Sequence, residues 1–244
     1  MRLSGRTFIV LAAAVGLVLV YATGQITPAE TTYQAQMRIW LAARATGIAA
    51  LVLLTLQVLI GLVLSHPTNK LTWRLSKIIF PWHENVLVFI AALLAAHVVT
   101  IVVDPYAGVG IGGALVPGLS TFRSAPVALG TLATYALIVT GVTARYTRLL
   151  PSGVWLKLHR LSVVILAMAW VHGLLAGTDS AALRPLYLVS FGLVTAATAH
   201  RYWTIRRERR AVAQAPRPTV PAARTMPHIT PGHPVPVAVE VVDR

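Results

Sequence analysis

Along most of this chain the hydrophobic positions do not alternate with polar ones but run together. Six stretches, at about 7–23, 39–65, 81–103, 125–145, 154–176 and 183–202, are apolar enough to cross a hydrocarbon layer. Such a layer is about 30 Å thick and takes about 20 helical residues. Backbone polar groups in lipid must be paired within their own segment, so each stretch predicts an α-helix and the chain an all-α, six-helix transmembrane bundle. The first stretch begins with Arg2 and Arg6 and is short, which also suits a signal peptide. No small-x-small cleavage site stands out around Tyr21-Ala22-Thr23-Gly24, so it is read as a retained helix. The expected organisation is a first helix and outer loop over 1–38, a core over 39–203 and a basic tail over 204–244.

Composition agrees with a polytopic membrane protein: 56% of residues are hydrophobic, 11% are charged, and the mean hydropathy is +0.71. The net charge of +14 is spread over helix ends. Arg2 and Arg6, Lys70 to Lys77, Arg145 to Arg160, and Arg201 to Arg210 all fall on one side, which the positive-inside rule makes cytoplasmic. Both termini are therefore expected inside, in an inner plasma membrane. The charge reads as orientation and lipid-headgroup contact, and no nucleic-acid partner is expected. The tail holds Pro216, Pro218, Pro221, Pro227, Pro231, Pro234 and Pro236 and is expected to be disordered. It is far too short for a flavin or nicotinamide domain. Gly108-Val109-Gly110-Ile111-Gly112-Gly113 lies in an outer loop with no strand before it, which argues against a dinucleotide fingerprint.

The chemistry sits in histidines. His83 and His97 are fourteen positions apart in the third stretch, and His159 and His172 thirteen apart in the fifth. A titratable, metal-binding side chain within a bilayer marks a functional site by default. A single such histidine commonly just bonds a neighbouring helix; four at matched depths ask for more. At about 1.5 Å of rise per residue the members of each pair lie roughly 20 Å apart along their helix. His83 and His159 are near the inner face and His97 and His172 near the outer one. That is the arrangement for two stacked haems, each iron taking one imidazole from either side. With no Cys in the chain, histidine is the one strong soft-to-borderline ligand available. Fourteen residues leave His83 and His97 within about 40° around a helix, whereas thirteen leave His159 and His172 roughly 140° apart. An irregular fifth helix is thus expected.

The residues around these histidines carry a resemblance. Ala43-Arg44-Ala45-Thr46-Gly47, Leu158-His159-Arg160-Leu161-Ser162 and His172-Gly173-Leu174-Leu175-Ala176-Gly177-Thr178-Asp179, with the two paired spacings, resemble bacterial members of the ferric reductase-like transmembrane domain. That domain is shared by ferric reductases and NADPH oxidases. The resemblance covers about 39–202 and implies two b-type haems that pass electrons across the membrane. The oxidases' C-terminal flavin and nicotinamide module has no counterpart here. Electrons would then come from a separate flavin reductase or a quinol pool and go to a ferric chelate, dioxygen or a partner protein. A haem-bearing subunit of a periplasmic reductase is the neighbouring reading. A His-lined proton or metal transporter is the reading from another class; it is disfavoured because Glu84 is the one acidic residue within the spans.

Arg44, inside the outer end of the second span, is expected to meet an outer haem propionate. The alternative is a guanidinium that snorkels to headgroups. Arg160 is placed near an inner propionate or serves as an orientation charge. His66 and His200 end spans, and His228 and His233 lie in the tail; none is expected to bind haem. Trp82, Trp155, Trp203 and Tyr106 read as interfacial anchors.

Overall fold

The structure is a computed structural model, and it describes residues 5–26, 30–65 and 70–214. Its regular elements among these are all helical: α1 (Gly5–Ile26), α2 (Thr32–Leu64), α3 (Lys70–Val103), α4 (Gly110–Leu115), α5 (Ser124–Arg145), a 3₁₀ turn (Thr147–Leu149), α6 (Ser152–Arg160), α7 (Ser162–Ala176) and α8 (Arg184–Gln214). Four spans meet the demands of length and apolarity for crossing a membrane: Thr32–Leu64, Ser76–Val103, Ser124–Arg145 and Gly153–Ala176. They match the second to fifth stretches read from the sequence. By compactness the chain divides into Met1–Ile205 and Arg206–Arg244.

Local signals explain the helix ends. Thr31 caps α2 by accepting from the Gln34 N–H at 3.1 Å, while the Gln34 side chain accepts from the Glu30 N–H at 2.8 Å. This resembles a capping box, except that the Gln34 side chain reaches the N–H one residue before the cap. Pro126 sits in the first turn of α5, where a missing N–H costs nothing. Pro81, by contrast, lies inside α3. The third span was expected to start there, yet the helix begins eleven residues earlier. Hydroxyls inside the spans return to their own helix: Thr46 donates to Ala42 O, Thr55 to Leu51 O and Thr100 to Ala96 O at 2.7–2.8 Å. In lipid these side chains have no water to turn to.

α2 packs on α3, α5 on α7, and α2 on α7, with α1 against α3. The core joins Leu51, Leu54 and Val58 of α2 to Val86 and Ile90 of α3, Leu166 and Trp170 of α7, and Tyr187 and Val194 of α8. A second cluster joins Ala107, Val109 and Val127 with Trp40 and Phe122, at the end expected to face outward. The glycine-rich stretch expected to be loop is partly the short helix α4. Gly108 and Gly110 precede and open it at φ 64° and 61°, the left-handed region. α8 does not stop near 202, where the sixth stretch was expected to end, but continues through the basic cluster to Gln214. The tail expected from 204 therefore starts as helix, and 215–244 lie outside the described residues.

The fifth span is interrupted. At Leu161 ψ is −8°, and the Leu161 N–H bonds back to Leu158 O at 3.0 Å, one residue short of the α pattern. α6 and α7 are thus separate segments, one carrying His159 and the other His172.

Candidate functional site

α3 faces the broken span, and their four histidines meet in two pairs. The ring centroids of His83 and His159 are 6.1 Å apart with planes at 82°; those of His97 and His172 are 6.3 Å apart at 83°. The partners are those expected from matched depth. An imidazole nitrogen binds a first-row metal at roughly 2.0–2.1 Å and lies about 1.1 Å from its ring centre, so one metal between two imidazoles sets the centres about 6.2 Å apart. Both pairs stand at this separation. The break at Leu161 falls between His159 and His172, where the ideal-helix mismatch of about 140° called for an irregularity.

The outer pair is held from behind in the same way on both sides. His97 Nδ1 lies 2.6 Å from Ala43 O of α2, and His172 Nδ1 lies 2.8 Å from Pro126 O of α5. A carbonyl can only accept, so Nδ1 carries the proton and Nε2 keeps its lone pair. One helical turn beyond each carbonyl is a glycine. A Cβ on Gly47 would come within 2.8 Å of His97 Nδ1, and one on Gly130 within 2.6 Å of His172 Nδ1.

The inner pair is held otherwise. Gly61 stands behind His83, with a Cβ position 3.2 Å from Cε1. The Gln57 side-chain amide donates to the His83 carbonyl at 2.6 Å. His159 stacks on Trp155, centroids 5.5 Å and planes 15° apart. Nδ1 of both His83 and His159 is buried and has no partner among the described residues.

A cavity of about 730 Å³ runs between α2, α3, α5 and α7 and has His97 and His172 in its wall. That volume lies within the range of cofactor pockets, about 300–1,000 Å³. Apolar side chains such as Leu51, Leu54, Leu94 and Ile138 make up most of its lining. At its outer end Arg44 is ion-paired with Asp179 of the loop after α7, a partner that sequence reading missed. Arg160 is exposed and outside the cavity wall, as an orientation charge would be. His200 is exposed on α8, while His66, His228 and His233 lie outside the described residues. Trp82, Trp203 and Tyr106 are exposed, as anchors would be, but Trp155 belongs to the site.

Among the described residues no three His, Cys, Asp or Glu side chains gather at one point. A metal held here by protein alone would have two ligands. Two facing imidazoles could serve as donors on either side of a planar group such as an iron porphyrin, which would supply the rest. Compared with known proteins, the chain matches no family model, no curated protein and no solved structure.

Proposed function

We propose that this protein is a transmembrane b-type cytochrome that binds two haems and conducts electrons between the two faces of a membrane. The observation that carries the reading is the meeting of four histidines in two pairs, each at the ring separation of two axial ligands on one metal. When bound, bis-histidine haem supplies reversible one-electron chemistry at iron. Thioether attachment needs cysteine, and the chain has none, which makes the haems non-covalent. His83 with His159 and His97 with His172 would hold the two haems, the apolar wall beside His97 and His172 would exclude water, and Arg44 would offer positive charge to a carboxylate.

Two further helices fit the bundle. α1 presents Val10, Leu17 and Val18, and α8 presents Leu188, Val189, Phe191 and Leu193, all exposed. Apolar faces of this kind suit lipid and support the reading of α1 and α8 as two further spans, beyond the four that meet the length and apolarity demands. The charges at the helix ends, read by the positive-inside rule, support cytoplasmic termini in a cell with an inner plasma membrane. Electrons enter from a separate flavin reductase or quinol and leave to a ferric chelate, dioxygen or a partner protein, including a periplasmic reductase.

The test is an absorption spectrum of protein purified after haem-replete expression. A Soret band with a sharp α band on dithionite reduction, and two haems per chain as the pyridine haemochrome, is the expected result. A protein without a Soret band would falsify the reading.

A further inference from the structure

The two histidine pairs have the same ligands but different surroundings. Behind His97, Ala43 O already serves the helical bonding of α2 and takes a longer, shared contact from the Thr46 hydroxyl at 3.0 Å, and the imidazole N–H at 2.6 Å is the closer donor to its second lone pair. Behind His172, Pro126 O of α5 likewise has a lone pair for the imidazole N–H. An imidazole reaches such a carbonyl only if the residue one turn along has no side chain. Gly47 and Gly130 meet that condition: a Cβ at either would lie 2.8 or 2.6 Å from Nδ1, well inside contact distance. The repeat is structural rather than local. In each case one helix, α2 for His97 and α5 for His172, supplies both the acceptor and the clearance.

We propose that Gly47 and Gly130 are positioning residues: each admits an outer imidazole to a main-chain carbonyl, making His97 and His172 stronger donors than His83 and His159, so the outer haem has the lower midpoint potential. This rests on the two-haem reading. An Nδ1–H that donates to a carbonyl raises the basicity of Nε2. A more basic axial ligand stabilises ferric over ferrous iron, which lowers the potential. His83 and His159 lack that help, since their Nδ1 atoms are buried without a partner among the described residues.

The test is potentiometric titration of the full chain in nanodiscs, followed optically, on wild type, Gly47→Ala, Gly130→Ala and Gly61→Ala. A His172→Ala variant, which keeps the inner pair alone, identifies the inner wave. The expected result is an outer wave below the inner one that rises in Gly47→Ala and in Gly130→Ala while the inner wave stays in place. A tenfold loss of preference for the ferric state reads as about 59 mV for one electron. Gly61→Ala, whose Cβ would stand 3.2 Å from His83 Cε1, leaves the outer wave unmoved. If one outer variant sheds its haem, the other carries the reading. Two haems with the outer wave above the inner, or with outer potentials unchanged in the glycine variants, overturn this inference and leave the cytochrome intact. Protein that takes up no haem overturns both.

Discussion

The indole of Trp155 lies face to face with the His159 imidazole, centroids 5.5 Å apart and planes only 15° from parallel. They are one turn apart on α6, so the contact is built into the helix. With no hydrogen-bond partner at His159 Nδ1 among the described residues, the stack is what orients that ring. Trp155→Leu should therefore lower inner-haem occupancy and leave the outer haem in place, whereas Trp155→Phe should retain both. Haemochrome stoichiometry measures this. Equal loss of both haems in the leucine variant would count against a local role.

Each facing pair of imidazoles is nearly perpendicular, at 82° and 83°. Perpendicular axial planes leave two iron d orbitals close in energy, so the oxidised protein should give low-spin signals of the strongly anisotropic kind. His97→Ala and His172→Ala should each remove one such signal while keeping the inner one; His200→Ala should change neither. Low-temperature electron paramagnetic resonance is the measurement. A rhombic spectrum would mean that the rings lie parallel.

Arg44 and Asp179 are paired at the outer mouth of the cavity, with Asp179 about half exposed at 48%. Half-exposed pairs contribute little, about 0–1 kcal/mol. Asp179→Ala should accordingly leave thermal stability and haem content nearly unchanged. Arg44→Ala should release outer haem several-fold faster to an apomyoglobin acceptor, because a propionate loses its cation. Equal release rates in the two variants would confine Arg44 to its aspartate.

Gly173 of α7 is packed against the Tyr187 hydroxyl of α8, 2.6 Å from where a Cβ would stand. Gly173→Ala overfills that contact and should destabilise the protein by about 1–3 kcal/mol. Removing the hydroxyl leaves ring atoms at 3.4 Å, an ordinary contact. Gly173→Ala with Tyr187→Phe should therefore regain most of the lost melting temperature in detergent. If the double variant melts as low as the single one, the contact is not the cause.

The helices that could cross a membrane were legible because lipid demands long apolar runs, and the histidine partners because matched depth leaves one pairing. Even the interruption at Leu161 was foreshadowed, since thirteen residues cannot return to the same helix face. What carried no periodic signal was harder to read. Asp179 meets Arg44 from a loop, and Trp155 passes for one more interfacial aromatic. The glycines behind the rings were overlooked as ordinary helix residues. Yet Gly47 and Gly61 are fourteen positions apart on α2, the same interval as His83 and His97 on the antiparallel α3. That shared interval was the available clue.

The two ligand-bearing spans differ in mechanical character. α3 is unbroken from Lys70 to Val103 and works as a ruler, setting the distance between the two layers of the site. The span opposite is jointed at Leu161, where a tighter turn replaces one step of the α ladder. α6 carries His159 on one side of this joint and α7 carries His172 on the other. His97 and His172 are each tethered to the main chain of another helix, whereas His83 and His159 have no such tether at Nδ1 among the described residues.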